Sequence, residues 1–371
     1  MIFSNKAAIV LLICCLVVGA ASIIMACKQS LTRPAVYNTT AKATQVQLGK
    51  YLFFDRRLSI NNTRACGTCH NPQFAFTDGY KRSLGAFADL HQRNTQPLFN
   101  LASQKYFTAA DSTLHTALQQ MENPLFNTHP IEMGIKGNEA MILQKIAADT
   151  AYITLFKKAN LPINWQHIKQ AIAQFVLSLT SINSPYDAYI NGDSTALTQQ
   201  QKLGKQLFYS AITGCSQCHA GANFASPSFI NTHGDTSFYY NTGLYNIGGN
   251  GAYPSYDQGL YQLTKNKLDM GKFRVPTLRN LAFTAPYLHD GSAATLTEVI
   301  NNYANAGRHI YTGVYKGNGA KNKYKHPAIK GFSLTAAQQL QLVQFLLSLS
   351  DSSFVNNPLH QNPFVVDETK Q

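Results

Sequence analysis

Two segments of the sequence combine a pair of cysteines with a histidine at the same spacing. Residues 66–70 read CGTCH, and residues 215–219 read CSQCH. Two thiols three positions apart lie on one turn of a helix, where they can reach both vinyl groups of one porphyrin. The adjacent histidine then directs its imidazole to the iron, which is the attachment pattern of c-type haem. The sequence therefore predicts two covalently bound haems.

These segments predict a role for each of their cysteines and histidines. We assign four thiols to thioether bonds and two histidines to iron: Cys66, Cys69, Cys215 and Cys218, with His70 and His219. The alternative is a zinc site built from the four thiols. It would join two distant segments and leave both histidines without a role.

The first 27 residues predict export. Lys6 is the only charged residue among them, and residues 7–26 are nearly all apolar and end in small residues. That pattern is typical of a secretory signal. Residues 24–27 (IMAC) resemble a bacterial lipoprotein box, which predicts a lipid on Cys27. The alternative is an uncleaved anchor helix in which Cys27 is incidental. Both interpretations leave the rest of the chain on the periplasmic side.

Composition excludes several classes of protein. Hydrophobic residues make up 45% of the 371 residues and charged residues only 13%, which excludes a charge-rich disordered chain and a coiled coil. Only the N-terminal apolar stretch is long enough to span a membrane, so a polytopic membrane protein is excluded. Lys and Arg exceed Asp and Glu by 31 to 18, but they are scattered singly. We therefore expect no nucleic-acid partner.

A diverged repeat precedes the two haem segments. Residues 48–54 read LGKYLFF, and residues 203–209 read LGKQLFY. A Thr-x-x-Gln pattern, beginning at Thr44 and at Thr198, predicts a capping box before each helix. Apolar spacing predicts further helices over 165–179 and from Thr335 to about residue 349. Since strand signals are few, we predict a mainly α fold.

The predicted organisation follows from these features. It comprises a lipoprotein signal peptide (1–26), a tether (27–42), an N-terminal haem c domain (43–190), a C-terminal haem c domain (195–355) and a polar tail (356–371). The Gly-, Asn- and Tyr-rich stretch 226–262 is expected to form long loops around the second haem.

Beyond the haem segments, the chain resembles the bacterial di-haem cytochrome c peroxidase family, which includes the MauG-type enzymes. The matching stretches occur in the family's order along nearly the whole expected mature chain: 48–59, 66–79, 93–94, 130–134, 271–280 and 285–292. The resemblance implies two cytochrome-c-like domains packed so that a central interface bridges the haems. It also implies a Ca²⁺ ion between them, H₂O₂ as oxidant, a small periplasmic c-type cytochrome as electron donor and, often, a homodimer.

The resemblance also implies roles for the two sites. The haem of His70 would be the peroxidatic one, and the haem of His219 would relay electrons. Glu132 falls at the position of the family's distal acid, which takes and returns the proton of peroxide. The alternative is an exposed Glu at a helix start after Pro130, where the helix dipole favours a negative charge.

Two departures from the family concern the first site and the region between the haems. Where the peroxidases carry a distal histidine this sequence has Ala86, so we expect an iron that is open without activation. His91 is close in sequence but displaced, and we favour a surface-loop position for it. Phe107 stands where the family often has a tryptophan between the haems. Because Phe is far harder to oxidise than Trp, we doubt any electron hopping at that position.

Two further assignments rest on the resemblance. Tyr303 falls where the second haem has its distal ligand, and a phenolate there would favour oxidised iron. The alternative is a buried tyrosine bonded to the backbone. The Ca²⁺ site would use the Asn94 side chain and the carbonyl oxygens of Arg274 and Pro276, since oxygen ligands suit a hard cation. The alternative is that Asn94 caps a turn.

The leading functional prediction is an exported, lipid-anchored di-haem peroxidase. It would reduce H₂O₂ to water at the N-terminal haem, with electrons relayed by the C-terminal haem. One alternative is a MauG-like oxidase that uses peroxide to oxidise a protein or a small molecule. A second is a non-catalytic electron carrier with two saturated irons, against which Glu132 in its family setting argues.

Overall fold

The computed structural model describes residues 40–225 and 238–364, all of which belong to one compact unit, Asn38–Gln371. The predicted signal peptide, Cys27 and most of the predicted tether lie outside the described residues. In the part of the chain that is described, no helix combines the length and the apolar character that crossing a membrane requires.

Helices dominate the described residues and occupy 41% of the chain, so the prediction of a mainly α fold is confirmed. The α-helices are α1 Thr40–Phe54, α2 Cys66–Cys69, α3 Ala117–Phe126, α4 Glu139–Ala147, α5 Thr150–Lys158, α6 Trp165–Ser178, α7 Pro185–Ile190, α8 Gln199–Tyr209, α9 Cys215–Cys218, α10 Tyr261–Thr264, α11 Leu296–Ala304, α12 Ala336–Leu347 and α13 Ser352–Val355. Short 3₁₀ turns lie at Arg56–Leu58, Pro72–Phe74, Leu101–Ser103, Lys267–Asp269, Gly319–Lys321 and Pro358–His360.

Two antiparallel ribbons of two-residue strands complete the fold. Strand β1 (Tyr239–Tyr240) pairs with β2 (Phe273–Arg274), and β3 (His309–Ile310) pairs with β4 (Gly317–Asn318). Most of the chain between residues 238 and 295 is loop. This agrees with the loops predicted from the composition of 226–262, of which residues 238–262 are described.

Helix starts follow the capping patterns with one exception. The Thr198 and Thr335 side chains cap α8 and α12, each in a full capping box with the Gln three residues on. The predicted cap at Thr44 is wrong because α1 already begins at Thr40. Nothing in residues 40–43 (TAKA) interrupts a helix, since Ala and Lys are strong helix formers.

The repeated LGK segments form two equivalent helix crossings. Helix α1 packs against α6, and α8 packs against α12. A side chain at either repeat glycine would collide with the partner helix. A Cβ on Gly49 would lie 1.9 Å from the Ala171 carbonyl oxygen, and one on Gly204 would lie 1.9 Å from that of Gln341. The glycines therefore permit the close approach that packs each haem-bearing half.

Aromatic side chains fill the hydrophobic cores. In the first core, the Phe53 ring lies 5.2 Å from that of Phe175. In the second, Phe208 lies 5.2 Å from Phe345, on α12. A third, smaller core centres on Tyr245 and Tyr253. We expect these ring-to-ring contacts, offset or edge-on, to add to the stabilisation from burial.

The end of the chain returns to the first core. Phe354 and Val355 close the range predicted for the C-terminal domain, yet they pack with the residues of α1 and α6. His360 follows in the segment predicted as a polar tail, and its ring lies 4.7 Å from Phe354 and 6.0 Å from Phe76. The C-terminal segment thus covers the surroundings of the first haem segment.

A buried ion pair fixes the turn that follows the second haem segment. Arg279 is only 2% exposed, and its two terminal nitrogens each donate to an Asp187 oxygen at 2.8 Å. Its Nε donates to the Ala222 carbonyl oxygen at 2.7 Å. The pair therefore links α7 to the turn at residues 219–224, which holds His219.

We expect Asp187→Asn to lower the free energy of unfolding by about 3–5 kcal/mol, because it leaves Arg279 buried without a counter-charge. The matched control is Asp269→Asn, which breaks a more exposed pair with Lys272 and should cost about 0–1 kcal/mol. Urea unfolding of the haem-loaded variants measures both. Equal losses would mean that the buried pair contributes no more than the exposed one.

Candidate functional site

The first haem segment forms a single helical turn that aims its histidine. The His70 backbone N–H, just after α2, donates to the Cys66 carbonyl oxygen at 2.9 Å. The His70 ring nitrogen Nδ1 lies 2.9 Å from the Phe76 carbonyl oxygen. This hydrogen bond uses Nδ1 as donor and presents Nε2 as the metal-binding nitrogen, which is the usual arrangement for a ligating histidine.

The second segment repeats this geometry. The His219 backbone N–H donates to the Cys215 carbonyl oxygen at 3.0 Å, and its Nδ1 lies 2.9 Å from the Phe224 carbonyl oxygen. Both acceptor residues adopt left-handed backbone, with φ of +62° at Phe76 and +51° at Phe224. Such a conformation is costly for a bulky residue. Its occurrence at the same place in both sites indicates that it serves to orient the histidine.

Burial keeps the four thiols protonated. It raises the pKa of Cys66 to about 12 and the pKa values of Cys69 and Cys218 to about 11, and it also raises the pKa of Cys215. Neutral thiols suit addition to vinyl groups. Over residues 40–225 and 238–364, no group of three or more His, Cys, Asp or Glu side chains is placed to hold a metal ion. The zinc alternative is therefore wrong.

A largely apolar cavity adjoins the second segment. Its lining includes Cys215, Cys218 and His219, together with apolar side chains of α11 and α12. His289 also lines it, and the Nε2 atom of His289 is buried without a hydrogen-bond partner among the described residues. An apolar slot with two thiols and a histidine at the spacing of a haem attachment segment would fit a covalent haem, and the buried His289 Nε2 offers it one polar contact. When bound, haem supplies iron that exchanges electrons and, where a coordination position is open, reacts with peroxide.

Glu132 lies beside the first haem segment. Its carbonyl oxygen accepts a hydrogen bond from the Ala86 N–H at 2.8 Å, and its side chain interacts electrostatically with Cys66 and Cys69. Burial raises the pKa of Glu132 to about 7. No helix starts near Pro130, since α4 begins at Glu139, so the alternative of a helix-start Glu is wrong. The arrangement provides a carboxyl group that can exchange a proton near neutral pH.

His91 is half-buried beside the first site. Its backbone N–H donates to the Ser83 carbonyl oxygen at 3.0 Å, and its Nε2 is buried without a partner among the described residues. The ring also interacts electrostatically with His70. An antiparallel bridge joins Leu84 to Leu90 in this loop, which is exposed at Phe87 and Leu90, so the surface-loop prediction holds for the loop although the His91 ring is half-buried.

Tyr303 lines the cavity that also contains His219. It lies on α11, close enough to Cys215 and Cys218 for electrostatic interaction, and burial raises the pKa of its phenol. Its hydroxyl makes no hydrogen bond with the residues that the structure describes, so the alternative of a backbone-bonded tyrosine finds no support there. In this apolar setting, ionisation of the phenol would depend on the positive charge of a metal ion.

The three residues assigned to Ca²⁺ line the same cavity. These are Asn94, Arg274 and Pro276. The Asn94 side-chain nitrogen donates to the Tyr80 carbonyl oxygen at 2.8 Å, and its backbone N–H donates to the His289 carbonyl oxygen at 2.8 Å. The Pro276 carbonyl also faces the His219 ring. The sequence segments that carry these residues are thus brought together by the fold.

The fold brings a group of charged side chains to this cavity for which no sequence pattern predicts a role. His289 Nδ1 lies 3.1 Å from Asp257, and Asp257 also accepts from Arg93 at 2.7 Å. The His289 ring stacks on Phe273 with centroids 3.6 Å apart. The only indication of a role for His289 in the sequence is that it belongs to stretch 285–292, which resembles the family. No cysteine or repeat near it predicts a function.

Comparisons with known proteins agree with this geometry. A model of the family described as "Di-haem cytochrome c peroxidase" matches residues 43–195. Cytochrome-c peroxidase IdrP2 of Pseudomonas sp. (strain SCT) is 32% identical over 84% of this chain and 83% of its own length. Methylamine utilization protein MauG of Methylorubrum extorquens is 30% identical over 82% of this chain and 78% of its own.

A solved structure extends the likeness to the fold. The crystal structure of a MauG-like protein associated with microbial copper homeostasis is 38% identical and has a TM-score of 0.82. The match covers 87% of this chain and 93% of that one. The relatives named as cytochrome c peroxidases imply H₂O₂ as substrate, cytochrome as electron donor and haem c as cofactor. The chain belongs to the di-haem cytochrome c peroxidase family, and it is a peroxidase-type oxidoreductase.

Proposed function

We propose that the protein reduces H₂O₂ to water at the first haem site, with electrons that a small periplasmic c-type cytochrome delivers through the second. Each H₂O₂ takes two electrons and two protons and gives two water molecules. The observation that best supports this role is the position of Glu132. Its carboxyl group lies next to the thiols of the first haem segment, and burial raises its pKa to about 7.

Glu132 acts as the proton carrier of this reaction. With haem bound at the first site, the Glu132 carboxylate would take a proton from one oxygen of peroxide and give it to the other. A group with this task works best when its pKa is near the working pH. The position of Glu132 is held by the Ala86 hydrogen bond and by Gly85, where a Cβ would lie 1.8 Å from the Ile131 carbonyl oxygen.

The cavity next to the second haem segment provides the link between the two sites. Besides His219, it is lined by Thr77 and Gln96 of the N-terminal half. Thr77 directly follows Phe76, the residue whose carbonyl holds His70. The neighbour of the residue that orients His70 and the residues that attach the second cofactor therefore line one cavity, which suits an electron relay.

A MauG-like oxidase is the second candidate function, and two observations favour it. Tyr303 lies with His219 in one cavity and its hydroxyl has no hydrogen bond to the described residues. The solved structure that is 38% identical to this chain is described as MauG-like. In this role, an external protein or small molecule would supply the two electrons that peroxide takes up. A cytochrome would not supply them.

We expect Tyr303→Phe to change the optical spectrum of the oxidised second haem and to raise its reduction potential by on the order of 0.1 V, because axial ligands set haem potentials over a range of about 0.8 V. Tyr240→Phe is the matched control, since Tyr240 is a buried tyrosine that lines the same cavity. A spectroelectrochemical titration measures both. An unchanged potential in Tyr303→Phe would exclude Tyr303 as a ligand.

Two finer assignments belong to this proposal. Ca²⁺ binds at Asn94 and the carbonyls of Arg274 and Pro276, which line one cavity. Metal analysis of the purified protein before and after EGTA treatment tests for this ion.

A lipid on Cys27 holds the protein at the periplasmic face of a membrane, as the sequence of residues 24–27 predicts. Intact mass of the wild type and of Cys27→Ser checks the lipid.

A further inference from the structure

A surface pocket lies next to the β3–β4 ribbon, apart from the haem cavity. It has a volume of about 470 Å³, and its lining includes Tyr245, Arg308, His309, Val314 and Tyr315. That volume is within the range of small-molecule sites. Tyr245 is buried at 5% exposure, whereas Val314 at the rim is 83% exposed. The pocket therefore offers aromatic and apolar contacts to a small ligand.

A line of aromatic rings joins this pocket to the cavity of the second haem segment. The Tyr315 ring lies 5.8 Å from Tyr245, and Tyr245 lies 6.4 Å from His289. His289 stacks on Phe273, and both residues line the haem cavity. Tyr253 gives a parallel connection, 5.3 Å from Tyr245 and 6.3 Å from His289. Rings in contact from pocket to cavity are suited to moving single electrons.

Tyr245 is the member of this line that has a proton acceptor. Its hydroxyl donates to Asp290 at 2.7 Å. Burial by itself would raise the pKa of Asp290, but His289 and Arg308 lower it below its ordinary value, so Asp290 is an ionised carboxylate. A phenol that loses an electron must also lose its proton, and this carboxylate can take the proton and return it. The Tyr253 hydroxyl instead donates to the Asn241 amide oxygen, which is a poor base.

We propose that this pocket binds a small phenol as an external reductant, and that Tyr245 passes its electrons to the second haem site. The inference rests on the proposed peroxide reduction, since peroxide is the oxidant. Stacking against Tyr315 and contact with the apolar rim favour an aromatic donor. The pocket would thus give the protein a second entry for electrons, separate from docking of a cytochrome.

The step balances in electrons and protons. Tyr245 gives one electron inward while its hydroxyl proton moves to Asp290. The bound phenol then gives one electron to Tyr245, Asp290 returns the proton, and the phenol releases its own proton to water and leaves as a phenoxyl radical. Two phenols are oxidised for each H₂O₂, which takes up two electrons and two protons and becomes two water molecules.

The test uses the haem-loaded protein with stoichiometric H₂O₂ and no electron donor. A nitroso spin trap, 2-methyl-2-nitrosopropane, is present, and peptide mass spectrometry maps its adducts. We expect an adduct on Tyr315, which is partly exposed, and a fall of about tenfold in that adduct in Tyr245→Phe, equivalent to about 1.4 kcal/mol. Turnover with 4-methylphenol should fall with it. Tyr245→Phe removes only a hydroxyl, and Asp290 keeps its partner Arg308.

The matched control is Tyr311→Phe, an exposed tyrosine of the same hairpin that stacks on His309 at 4.0 Å and lies outside the line of rings. It should leave the Tyr315 adduct and the 4-methylphenol turnover at wild-type values. Wild-type turnover with reduced cytochrome c reports the proposed function separately.

Three outcomes would overturn the inference. If cytochrome is oxidised but no adduct forms on Tyr315, or the adduct is equal in Tyr245→Phe, the phenol pathway is wrong and the proposed function stands. If Tyr245→Phe lowers turnover with cytochrome and not with 4-methylphenol, the pocket serves a protein donor. If wild-type protein consumes no peroxide with either donor, the proposed function fails, and the inference fails with it.

Discussion

Glu132→Gln should lower the rate constant for reaction with H₂O₂ by about 10²–10⁴-fold, the usual contribution of a positioned acid–base group. Gln has the size and the hydrogen-bonding shape of Glu, but it cannot take a proton from peroxide. Stopped-flow mixing of the oxidised, haem-loaded protein with H₂O₂ measures the rate constant directly.

The pH dependence gives a second signature of Glu132. Its pKa is raised to about 7 by burial, so the carboxyl group is protonated below that pH and ionised above it. Only the ionised form can accept the proton of peroxide. The wild-type rate constant should therefore rise with pH through about 7 and then level off, whereas Glu132→Gln should be slow and flat over this range.

The matched control for this substitution is Glu122→Gln, which changes an exposed Glu of α3 that pairs with Lys169. It should keep the wild-type rate and pH profile. A Glu132→Gln protein with the same rise through pH 7 would assign the titration to another group and remove Glu132 from the mechanism.

Removing one haem at a time should separate the roles of the two sites. Cys66→Ala/Cys69→Ala leaves only the second attachment, and we expect the rate of peroxide reaction to fall by at least about 10³-fold, or about 4 kcal/mol. Cys215→Ala/Cys218→Ala leaves the first. It should keep a single reaction with peroxide but lose turnover with reduced cytochrome, because the relay is gone.

Each double variant is the control for the other. Intact mass counts the haems attached, and circular dichroism checks that the helices are retained. Peroxide reactivity that persists in Cys66→Ala/Cys69→Ala, and disappears in the other double variant, would reverse the assignment of the two sites.

Local patterns predicted much of the framework because they are set by neighbouring residues. The capping boxes at Thr198 and Thr335 and the helical turns at the cysteine pairs follow from spacing alone. Thr44 shows the limit of such patterns. A capping residue does not set the start of a helix when the residues before it also favour helix. The repeat glycines were visible in the sequence, but the carbonyls that they contact belong to distant helices.

The least predictable parts of the site depend on contacts between distant residues. The half-buried position of the His91 ring beside the first site depends on how its loop folds. The group formed by Arg93, Asp257 and His289 joins residues up to 196 positions apart in the chain (289 − 93). The Tyr245 and Tyr315 rings meet through the core of loops between residues 238 and 324. No periodicity reports such pairings, because they arise from tertiary packing.

The most direct test of the account is the optical spectrum of the fully oxidised, haem-loaded protein before and after stoichiometric H₂O₂, with no reductant present. Because Ala86 stands at the position of the family's distal histidine, the account predicts a prompt spectral change in the wild type that is slow or absent in Glu132→Gln. A change that appears only after one haem is reduced would mean that a side chain such as His91 closes the first site at rest. No change in either the oxidised or the half-reduced protein would contradict the peroxidase account and favour the electron carrier.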